Sequence, residues 1–156
     1  MAKLDTHQYP DIITAISHIP GAEVPYYTNS TQLPVDHTSD IFEACDHQNE
    51  LQPLYTGGTV LHLFLGEEVT DVNVVKNLIR TVCTNYEVPY VTLSPKYSVC
   101  VNHGYLAGEV PTCPSCSNET EVYARVVGFF TPLKRWNSSK QEEFKHRKDF
   151  DSKSIS

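Results

Sequence analysis

The sequence predicts an α/β fold in which a strand–helix–strand unit precedes a metal-binding hairpin and a strand that leads into a glycine loop. A nearly continuous apolar run, closed by a glycine, is followed by a segment with helical periodicity and by a second short apolar run. Two closely spaced pairs of cysteine and histidine residues come next. An alternating segment then leads to Gly128, and a charged segment ends the chain.

The composition excludes several classes of protein. The 156 residues suffice for one ordinary domain or for part of a larger protein, and 40% of them are hydrophobic. The formal net charge of -7 argues against a general nucleic-acid-binding surface, because such a surface needs basic groups to neutralise phosphates. No apolar run approaches the roughly 20 residues that cross a bilayer, and the N-terminus lacks a hydrophobic signal region. We therefore expect a cytoplasmic protein without membrane or direct nucleic-acid partners.

The N-terminal 50 residues carry only weak patterns. A short helix is predicted to begin after Asp11, which can cap it, and to end near Pro20. Residues 25–34 are bounded by prolines and rich in aromatic and hydroxyl side chains, which favours an extended segment. A second short helix is predicted over residues 40–47.

The clearest unit is a strand, a helix and a strand. Residues 59–65 are apolar almost throughout, as expected for a strand that is covered on both faces. Thr70 or Asp71 can cap the following helix. Its apolar positions recur at helical spacing, at Val72, Val75, Leu78, Ile79 and Val82. Residues 89–93 form the second strand, and a helical crossover of this length predicts a parallel, right-handed βαβ unit.

Four potential metal ligands follow in two pairs. Cys100 and His103 are separated by two residues, as are Cys113 and Cys116. Structural zinc is held by four such ligands in a tetrahedron, and two short turns with two ligands each can supply them. Four ligands leave no position for a bound water, so the spacing predicts a closed, structural zinc site.

Another interpretation makes Cys113 and Cys116 a redox pair and leaves His103 as a surface residue, so the fourth ligand stays open. It is weaker, because the strand–motif–helix order of thioredoxin-like proteins does not surround the pair. The remaining cysteines, Cys45 and Cys83, are expected to be buried packing residues.

Residues 121–127 alternate between polar and apolar and predict a strand that leads to Gly128. Pro132 and Trp136 are expected in the loop beyond it. The ordinary explanation of Gly128 is that the turn after the strand requires a positive φ, which glycine adopts without strain.

The last predicted element is a helix that Ser138 or Ser139 caps and that extends to about Phe150. Its acidic and basic residues are interspersed, which favours a solvated helix. Residues 151–156 are polar and are expected to form a disordered tail.

The ordered run of motifs resembles the C-terminal part of anaerobic (class III) ribonucleoside-triphosphate reductases, which are glycyl radical enzymes. The similar segments, in chain order, are Tyr26-Tyr-Thr-Asn29, Tyr55-Thr-Gly57-Gly58, His103-Gly-Tyr105-Leu-Ala-Gly108, Arg125-Val-Val-Gly128-Phe and Trp136-Asn137. The resemblance extends over nearly the whole chain. Phe129 stands where the family most often has tyrosine after the glycine, which removes a hydroxyl and keeps the ring.

The resemblance implies a C-terminal fragment of a ten-stranded α/β barrel, followed by a zinc-ribbon-like hairpin and a glycyl radical loop. The implied divisions are a partial barrel segment with the βαβ unit over 1–95, a zinc-binding hairpin over 96–120, a radical strand, loop and terminal helix over 121–150, and the tail over 151–156. Gly128 would carry the radical, which a radical-SAM activating enzyme would install. The zinc, held by Cys100, His103, Cys113 and Cys116, would fix the base of the loop.

The resemblance also implies an oxidoreductase of deoxyribonucleotide biosynthesis, and therefore a role in DNA replication. Its thiyl-forming cysteine, its earlier barrel strands and its allosteric domain have no counterpart here, and neither Cys45 nor Cys83 matches that cysteine. We therefore expect the chain to need a separate barrel chain, to meet the ribonucleoside triphosphate substrate only in the complete enzyme, and to form an oligomer. Tyr26, Thr28 and Asn29 are candidates for the strand end nearest the active site.

Several alternatives stay open. The chain could be a detachable radical carrier, an inactive remnant of the reductase, or a stand-alone zinc-ribbon interaction module. The sequence does not decide between formate and a thiol protein as electron donor. A strand–helix–strand unit cut from a barrel would expose sheet edges and an apolar face, so we expect poor solubility or self-association of the isolated chain.

Overall fold

A computed structural model describes residues 1–29, 31–66, 68–126 and 128–150. Within them the chain forms a parallel pair of strands, a four-stranded antiparallel sheet and several short helices. The elements are α1 Ala2–Gln8, α2 Ile41–Asn49, β1 Leu61–Leu65, α3 Val72–Asn85, β2 Val91–Pro95, β3 Tyr97–Cys100, β4 Gly104–Ala107, β5 Glu121–Arg125, β6 Phe130–Pro132 and α4 Ser138–His146, with 3-10 turns at Gln52–Leu54 and Leu133–Arg135.

The βαβ unit is confirmed as an α/β element with parallel strands. β1 pairs with β2 along its whole length, and Leu63 lies opposite Leu93. Both strands begin two residues later than predicted. α3 begins after Asp71, whose carboxylate accepts a hydrogen bond from the Asn73 N–H at 2.8 Å, as the capping pattern predicts.

The main hydrophobic core lies between β1 and the helices α2 and α3. Its buried members are Ile41, Cys45, Leu61, Leu63, Leu78 and Val82. Alternate residues of β1 face this core, and the residues between them, His62 and Phe64, are half-buried on the other face of the strand. Each large apolar side chain in this core contributes about 1.5–3 kcal/mol.

The two cysteines expected in the core behave differently. Cys45 is fully buried, as predicted. Cys83 is exposed, so its predicted burial is wrong. Cys83 follows Val82 by one residue, and a helix turns about 100° per residue, which places it beside the buried stripe of α3 rather than within it.

The second sheet has the strand order β4–β3–β5–β6. It joins the predicted metal hairpin to the predicted glycine strand, because β3 pairs with both β4 and β5. The chain after Gly128 returns as β6, with Phe130 opposite Arg125. Pro132 therefore lies in an edge strand and not in the predicted loop, and edge strands tolerate proline because one side of the strand needs no donor.

The N-terminal helix predicted from Asp11 to Pro20 is wrong, because these residues form turns and the helix of this region, α1, precedes them. Ser17 Oγ accepts the Thr14 N–H at 2.8 Å, and the Ala15 N–H donates to the Tyr26 carbonyl at 2.9 Å. These local bonds compete with a helical ladder.

The two neighbouring predictions have different outcomes. α2 is confirmed, because Asp40 caps it by accepting the Phe42 N–H at 2.7 Å. In the predicted extended segment 25–34, the described residues form no strand.

The C-terminal helix differs from its prediction at both ends. Asn137, and not a serine, caps α4 by accepting the Lys140 N–H at 3.0 Å, whereas Ser139 Oγ donates to the Pro25 carbonyl. The helix ends at His146, and Phe150 instead runs beside β1, where its N–H donates to the Phe64 carbonyl at 2.8 Å. The predicted tail over 151–156 lies outside the described residues.

The solvated character predicted for α4 is also wrong. Glu142 and Glu143 are 7% and 2% exposed. These carboxylates are compatible with burial because cationic side chains of the same helix or of its C-terminal end pair with them, at Lys140, Lys145 and Arg147. Alternating charge alone does not show which side of a helix faces the protein.

Candidate metal centre and glycine hairpin

The two predicted ligand pairs are held by two tight turns. Cys100 ends β3 and His103 immediately precedes β4, so a short turn links them. Cys113 lies at the start of the second turn, where its carbonyl accepts the Ser117 N–H at 2.8 Å and its N–H donates to the Asn118 carbonyl at 2.9 Å. This second turn carries Cys116.

A buried serine fixes the chain between the two turns. Ser98 is fully buried, its hydroxyl donates to the Gly108 carbonyl, and the same oxygen accepts the Val110 N–H, both at 2.9 Å. Thr120 Oγ1 also donates to the Val110 carbonyl. The segment that follows β4 is thereby held against β3, which brings the second cysteine pair to the first.

The four ligand atoms fit a tetrahedral zinc ion. The Sγ atoms of Cys100, Cys113 and Cys116 and a ring nitrogen of His103 lie within 4.8 Å of one another. Cys100 Sγ is 3.7 Å from Cys116 Sγ, and His103 Nδ1 is 3.7 Å from Cys100 Sγ and 3.5 Å from Cys113 Sγ. Ordinary zinc–ligand lengths give edges of about 3.8 Å between sulfurs and about 3.6 Å between sulfur and nitrogen in a tetrahedron. The donor set therefore suits a closed, structural zinc ion that binds no water.

The polar surroundings favour a thiolate at Cys100. Its pKa is lowered to about 6, chiefly by the hydrogen bond from His103 and also by the backbone N–H groups of Asn102 and His103. The pKa of Cys116 is raised, because desolvation and the neighbouring sulfurs of Cys100 and Cys113 outweigh the backbone hydrogen bond of Asn118, which lowers it. Adjacent thiolates repel one another, and a divalent cation between them removes that repulsion.

A redox role for these cysteines receives no support from the geometry. Cys113 and Cys116 are free, and their Sγ atoms lie in one cluster with Cys100 Sγ and the His103 ring, which is the arrangement of four metal ligands and not of an isolated pair. His103 is exposed, yet Nδ1 is directed at two of the thiols. It belongs to the cluster and is not a bystander.

Gly128 lies at the tip of the β5–β6 hairpin. The Val126 N–H donates to the Phe129 carbonyl at 3.3 Å, and Arg125 pairs with Phe130 below the tip. The φ of Gly128 is outside the left-handed region, and a Cβ added there would meet no atom of the described residues within 4 Å, its two chain neighbours excepted. The explanation through a positive φ is therefore wrong, since neither the backbone conformation nor neighbouring atoms require glycine here.

Arg125 ties the hairpin tip to the parallel strand pair. Its Nη1 donates to the Gly128 carbonyl at 2.8 Å and its Nε donates to Ser94 Oγ, in β2, at 2.9 Å. The guanidinium also lies 4.8 Å from the centre of the Phe130 ring. Arg125 belongs to a motif that carries the resemblance, but the sequence alone gives it no role; its position three residues before the glycine is the available signal.

A buried ion pair between Arg147 and Glu143 contacts the backbone of the same strand, β5. Arg147 Nη1 donates to the Arg125 carbonyl at 3.1 Å, and Nη2 donates to Glu143 Oε1 at 2.7 Å. The side chains of Arg147 and Glu143 are each 3% exposed, and the guanidinium lies 3.8 Å from the centre of the Phe64 ring. Burial lowers the pKa of Arg147, while Glu143 opposes that shift.

The predicted active-site candidates Tyr26 and Asn29 lie against α4. Asn29 Oδ1 accepts a hydrogen bond from Lys140 Nζ at 3.0 Å, and the Tyr26 ring stacks on His146. Burial, together with the nearby carboxylates of Asp36, Glu143 and Glu142, raises the pKa of Tyr26 to about 12. Thr28, between them, is half-buried.

The metal cluster and the glycine occupy opposite ends of the four-stranded sheet. Val99, next to the ligand Cys100, lies opposite Glu121 at the start of β5, and Gly128 follows the other end of that strand. The four residue steps along β5 span roughly 14 Å. The cluster therefore lies beside the base of the β5–β6 hairpin, at the end of the sheet far from Gly128, and a metal ion there would stabilise the sheet from that end.

The chain is an α/β protein. Its four-stranded sheet carries a candidate metal cluster at one end and a glycine hairpin at the other. The family model for anaerobic ribonucleoside-triphosphate reductase matches residues 1–150. The chain is 31% identical over 143 residues to the anaerobic ribonucleoside-triphosphate reductases of Escherichia coli (strain K12) and Salmonella typhimurium (strain LT2), covering 83% of this chain and 20% of each relative. The chain belongs to the anaerobic ribonucleoside-triphosphate reductase family.

Solved structures show the same fold. A structure described as an anaerobic ribonucleotide reductase matches with a TM-score of 0.66 and 21% identity, covering 96% of this chain and 27% of that one. The anaerobic ribonucleotide reductase of Thermotoga maritima with MES in the active site matches with a TM-score of 0.56 and 22% identity, covering 87% and 25%. The chain thus spans about a fifth of the length of the curated relatives it matches. None of the described helices is long and apolar enough to cross a membrane.

Proposed function

We propose that this chain is the glycyl-radical-bearing C-terminal part of an anaerobic ribonucleoside-triphosphate reductase, with Gly128 as the radical residue. One observation carries the assignment: the fold places no steric or conformational demand for glycine at residue 128, although the chain has glycine there. A glycine that its described surroundings do not demand leaves Cα free for chemistry of its own. The chemistry we propose is the one that the resemblance of the ordered motifs to glycyl radical enzymes implies.

The proposed activation removes one hydrogen atom from Gly128 Cα. One-electron reduction of S-adenosylmethionine by the activating enzyme yields methionine and a carbon radical. That radical takes the hydrogen, with its electron, and becomes 5′-deoxyadenosine. The unpaired electron left on Cα is shared with the adjacent amide nitrogen and carbonyl, which requires a planar centre. The absence of a Cβ allows this planarity and a close approach by the activating enzyme.

The exposure of the hairpin tip supports a site that a separate protein reaches. Gly128 is exposed, and Phe129 beside it is 65% exposed although it is a large apolar side chain. In the complete enzyme we propose that this tip docks onto a separate barrel chain that binds the ribonucleoside triphosphate. The chain by itself is proposed to be inactive and to act within an oligomer.

Cys100, His103, Cys113 and Cys116 would hold the zinc, whose role would be structural. We propose the divisions 1–95, 96–120 and 121–150 as barrel segment, zinc hairpin and radical region. Because β3 and β5 pair, the last two would fold as one sheet. Zinc would thus stabilise the strand that carries Gly128 without contacting it.

Electron paramagnetic resonance after anaerobic activation tests the proposal. The purified zinc-loaded chain is mixed with the activating enzyme, S-adenosylmethionine and a reductant, with and without the barrel chain. We expect a doublet, split by the remaining α-hydrogen, that collapses to a singlet when the chain is produced with α-deuterated glycine. Gly128→Ala should give no signal, and Phe129→Tyr should keep it.

The absence of a doublet in both mixtures would overturn the radical assignment. In that case zinc-dependent binding to the barrel chain separates the two alternatives. Binding that chelation abolishes and Gly128→Ala leaves unchanged would identify a zinc-ribbon interaction module. A lack of binding would identify an inactive remnant.

A further inference from the structure

We propose that Arg125 is a positioning residue that holds the Gly128 carbonyl and stabilises the radical through it. This inference rests on the proposed function, since it concerns how the glycine site is built. Arg125 is the described residue whose side chain donates to the Gly128 backbone. It reaches that carbonyl from three residues earlier, across the mouth of the hairpin.

The geometry of Arg125 is that of a two-ended clamp. One donor of the guanidinium, Nη1, bonds the Gly128 carbonyl at 2.8 Å, and another, Nε, bonds Ser94 Oγ at 2.9 Å. The guanidinium is planar and rigid, so fixing Nε also fixes the direction of Nη1. Because Ser94 is 2% exposed and lies in β2, this pair of hydrogen bonds fixes the exposed hairpin tip to a buried side chain of the other sheet.

The anchor on β2 is itself held by a row of polar side chains. Ser94 Oγ lies 3.4 Å from Thr92 Oγ1, and Thr92 Oγ1 lies 2.7 Å from His62 Nδ1 in β1. These residues occupy the face of the parallel pair that points away from the main core. The row limits the rotamers of Ser94, so the anchor for Arg125 is preorganised.

The backbone of Arg125 is fixed as well as its side chain. Arg147 donates to the Arg125 carbonyl at 3.1 Å from a buried position that Glu143 compensates. Arg147 thus holds the backbone of β5, and Arg125 holds the hairpin tip. The arrangement directs positive charge towards the Gly128 carbonyl oxygen.

This position suits the electronic structure of a glycyl radical. When the Cα hydrogen atom leaves, the amide nitrogen donates electron density and the carbonyl oxygen accepts it, so the oxygen gains partial negative charge. A charge-assisted hydrogen bond to that oxygen favours this distribution, as fixed donors do wherever negative charge develops. The same bond keeps the carbonyl in one plane with Cα, which the delocalisation requires.

The test compares variants that remove the guanidinium with variants that keep a charge. In the activated, zinc-loaded chain with its barrel partner, Arg125→Met should shorten the radical lifetime roughly tenfold, the loss expected for one hydrogen bond to a charged group. It should also change the g anisotropy at high field. Arg125→Lys should restore the lifetime in part. Arg80→Met, on the exposed side of α3, is the matched control and should change neither.

A second measurement needs no radical. The ¹³C shift of the Gly128 carbonyl in the unactivated chain should move in Arg125→Met and, by a smaller amount, in Ser94→Ala. Zinc content and the melting temperature show whether each variant folds; if Arg125→Met does not, Ser94→Ala takes its place in both experiments. An unchanged carbonyl shift, or an unchanged lifetime and g anisotropy, overturns the inference while the radical assignment stands. A missing doublet in the unmodified chain overturns the proposed function first.

Discussion

The four-stranded sheet ends in two turns that are built in opposite ways. At one end, the β3–β4 turn meets the second cysteine pair, where four side chains converge within 4.8 Å. At the other end, the β5–β6 turn presents Gly128 with no neighbour within 4 Å of an added Cβ. One end brings four potential ligand atoms together, and the other leaves a backbone carbon exposed.

Aromatic contacts in the middle of the sheet connect its four strands. Tyr97 in β3 stacks on Tyr105 of β4 at 5.7 Å and on Tyr123 of β5 at 5.1 Å, and its ring is 5.7 Å from Phe130 of β6. A single aromatic ring therefore touches both hairpins. Such pairs contribute about 0.5–1.5 kcal/mol each beyond the area they bury, so the strands stay in register between the two ends.

Gly128→Ala should have the largest effect, and it should separate the radical signal from the stability of the fold. The radical signal should disappear completely, whereas the free energy of unfolding should be unchanged or raised by about 0.4–1 kcal/mol, because alanine fits the φ and space and restricts the unfolded chain. Electron paramagnetic resonance and chemical denaturation measure the two effects. Gly104→Ala is the contrast, since its φ of +74° predicts strain and a loss of stability. A strongly destabilised Gly128→Ala would show that the fold itself requires glycine.

Removal of the metal should affect the other end first. Because the binding energy of structural zinc contributes directly to folding, chelation or Cys113→Ser should lower the melting temperature by many degrees and release the amide hydrogens around residues 100–116. The β5–β6 hairpin should lose protection later. Hydrogen exchange followed by mass spectrometry measures the order. Cys83→Ser replaces an exposed cysteine outside the cluster and should have no effect. Simultaneous loss of both hairpins would show that the ends are not separable.

The buried ion pair behind the glycine strand should be the next most sensitive feature. Arg147→Met leaves the buried Glu143 with Lys140 as its remaining cationic partner, so the cost should approach but stay below the roughly 3–5 kcal/mol expected when a buried charge loses every partner. Lys145→Met breaks a pair on the same helix whose lysine is 68% exposed, and should cost less than about 1 kcal/mol. Urea denaturation of both variants measures the ratio. Similar costs for the two would contradict the burial of α4.

The smallest expected effect is a dependence on pH. Lys145, and then His146, lower the pKa of Glu142 below its ordinary value, although burial raises it. A carboxyl whose pKa is lower in the folded state stabilises the fold above its unfolded pKa and loses that contribution as the pH falls through its folded pKa. Unfolding of Glu142→Gln should therefore depend less steeply on pH below about 4.5 than unfolding of the parent chain. Melting curves across this range decide it, and parallel curves would count against the ion pair.

The local features of the protein could be predicted from its amino-acid sequence. Hydrophobic periodicity and caps such as Asp40 and Asp71 define α2, α3 and the βαβ unit, because these signals act over a few residues. The spacing of the cysteine and histidine residues likewise identified the four members of the metal cluster. The resemblance singled out Gly128, and the ordered motifs led to the family that the comparisons show.

The tertiary structure was needed for the features that depend on residues distant in the sequence. It buried the charged face of α4, exposed Cys83, turned the segment after Gly128 back as β6, and separated the metal cluster from the glycine by the length of β5. Each depends on which surfaces meet, and periodicity within one element does not carry that information. The clamp from Arg125 to Ser94 joins residues 31 positions apart, and pairing between strands, not local sequence, brings such residues together.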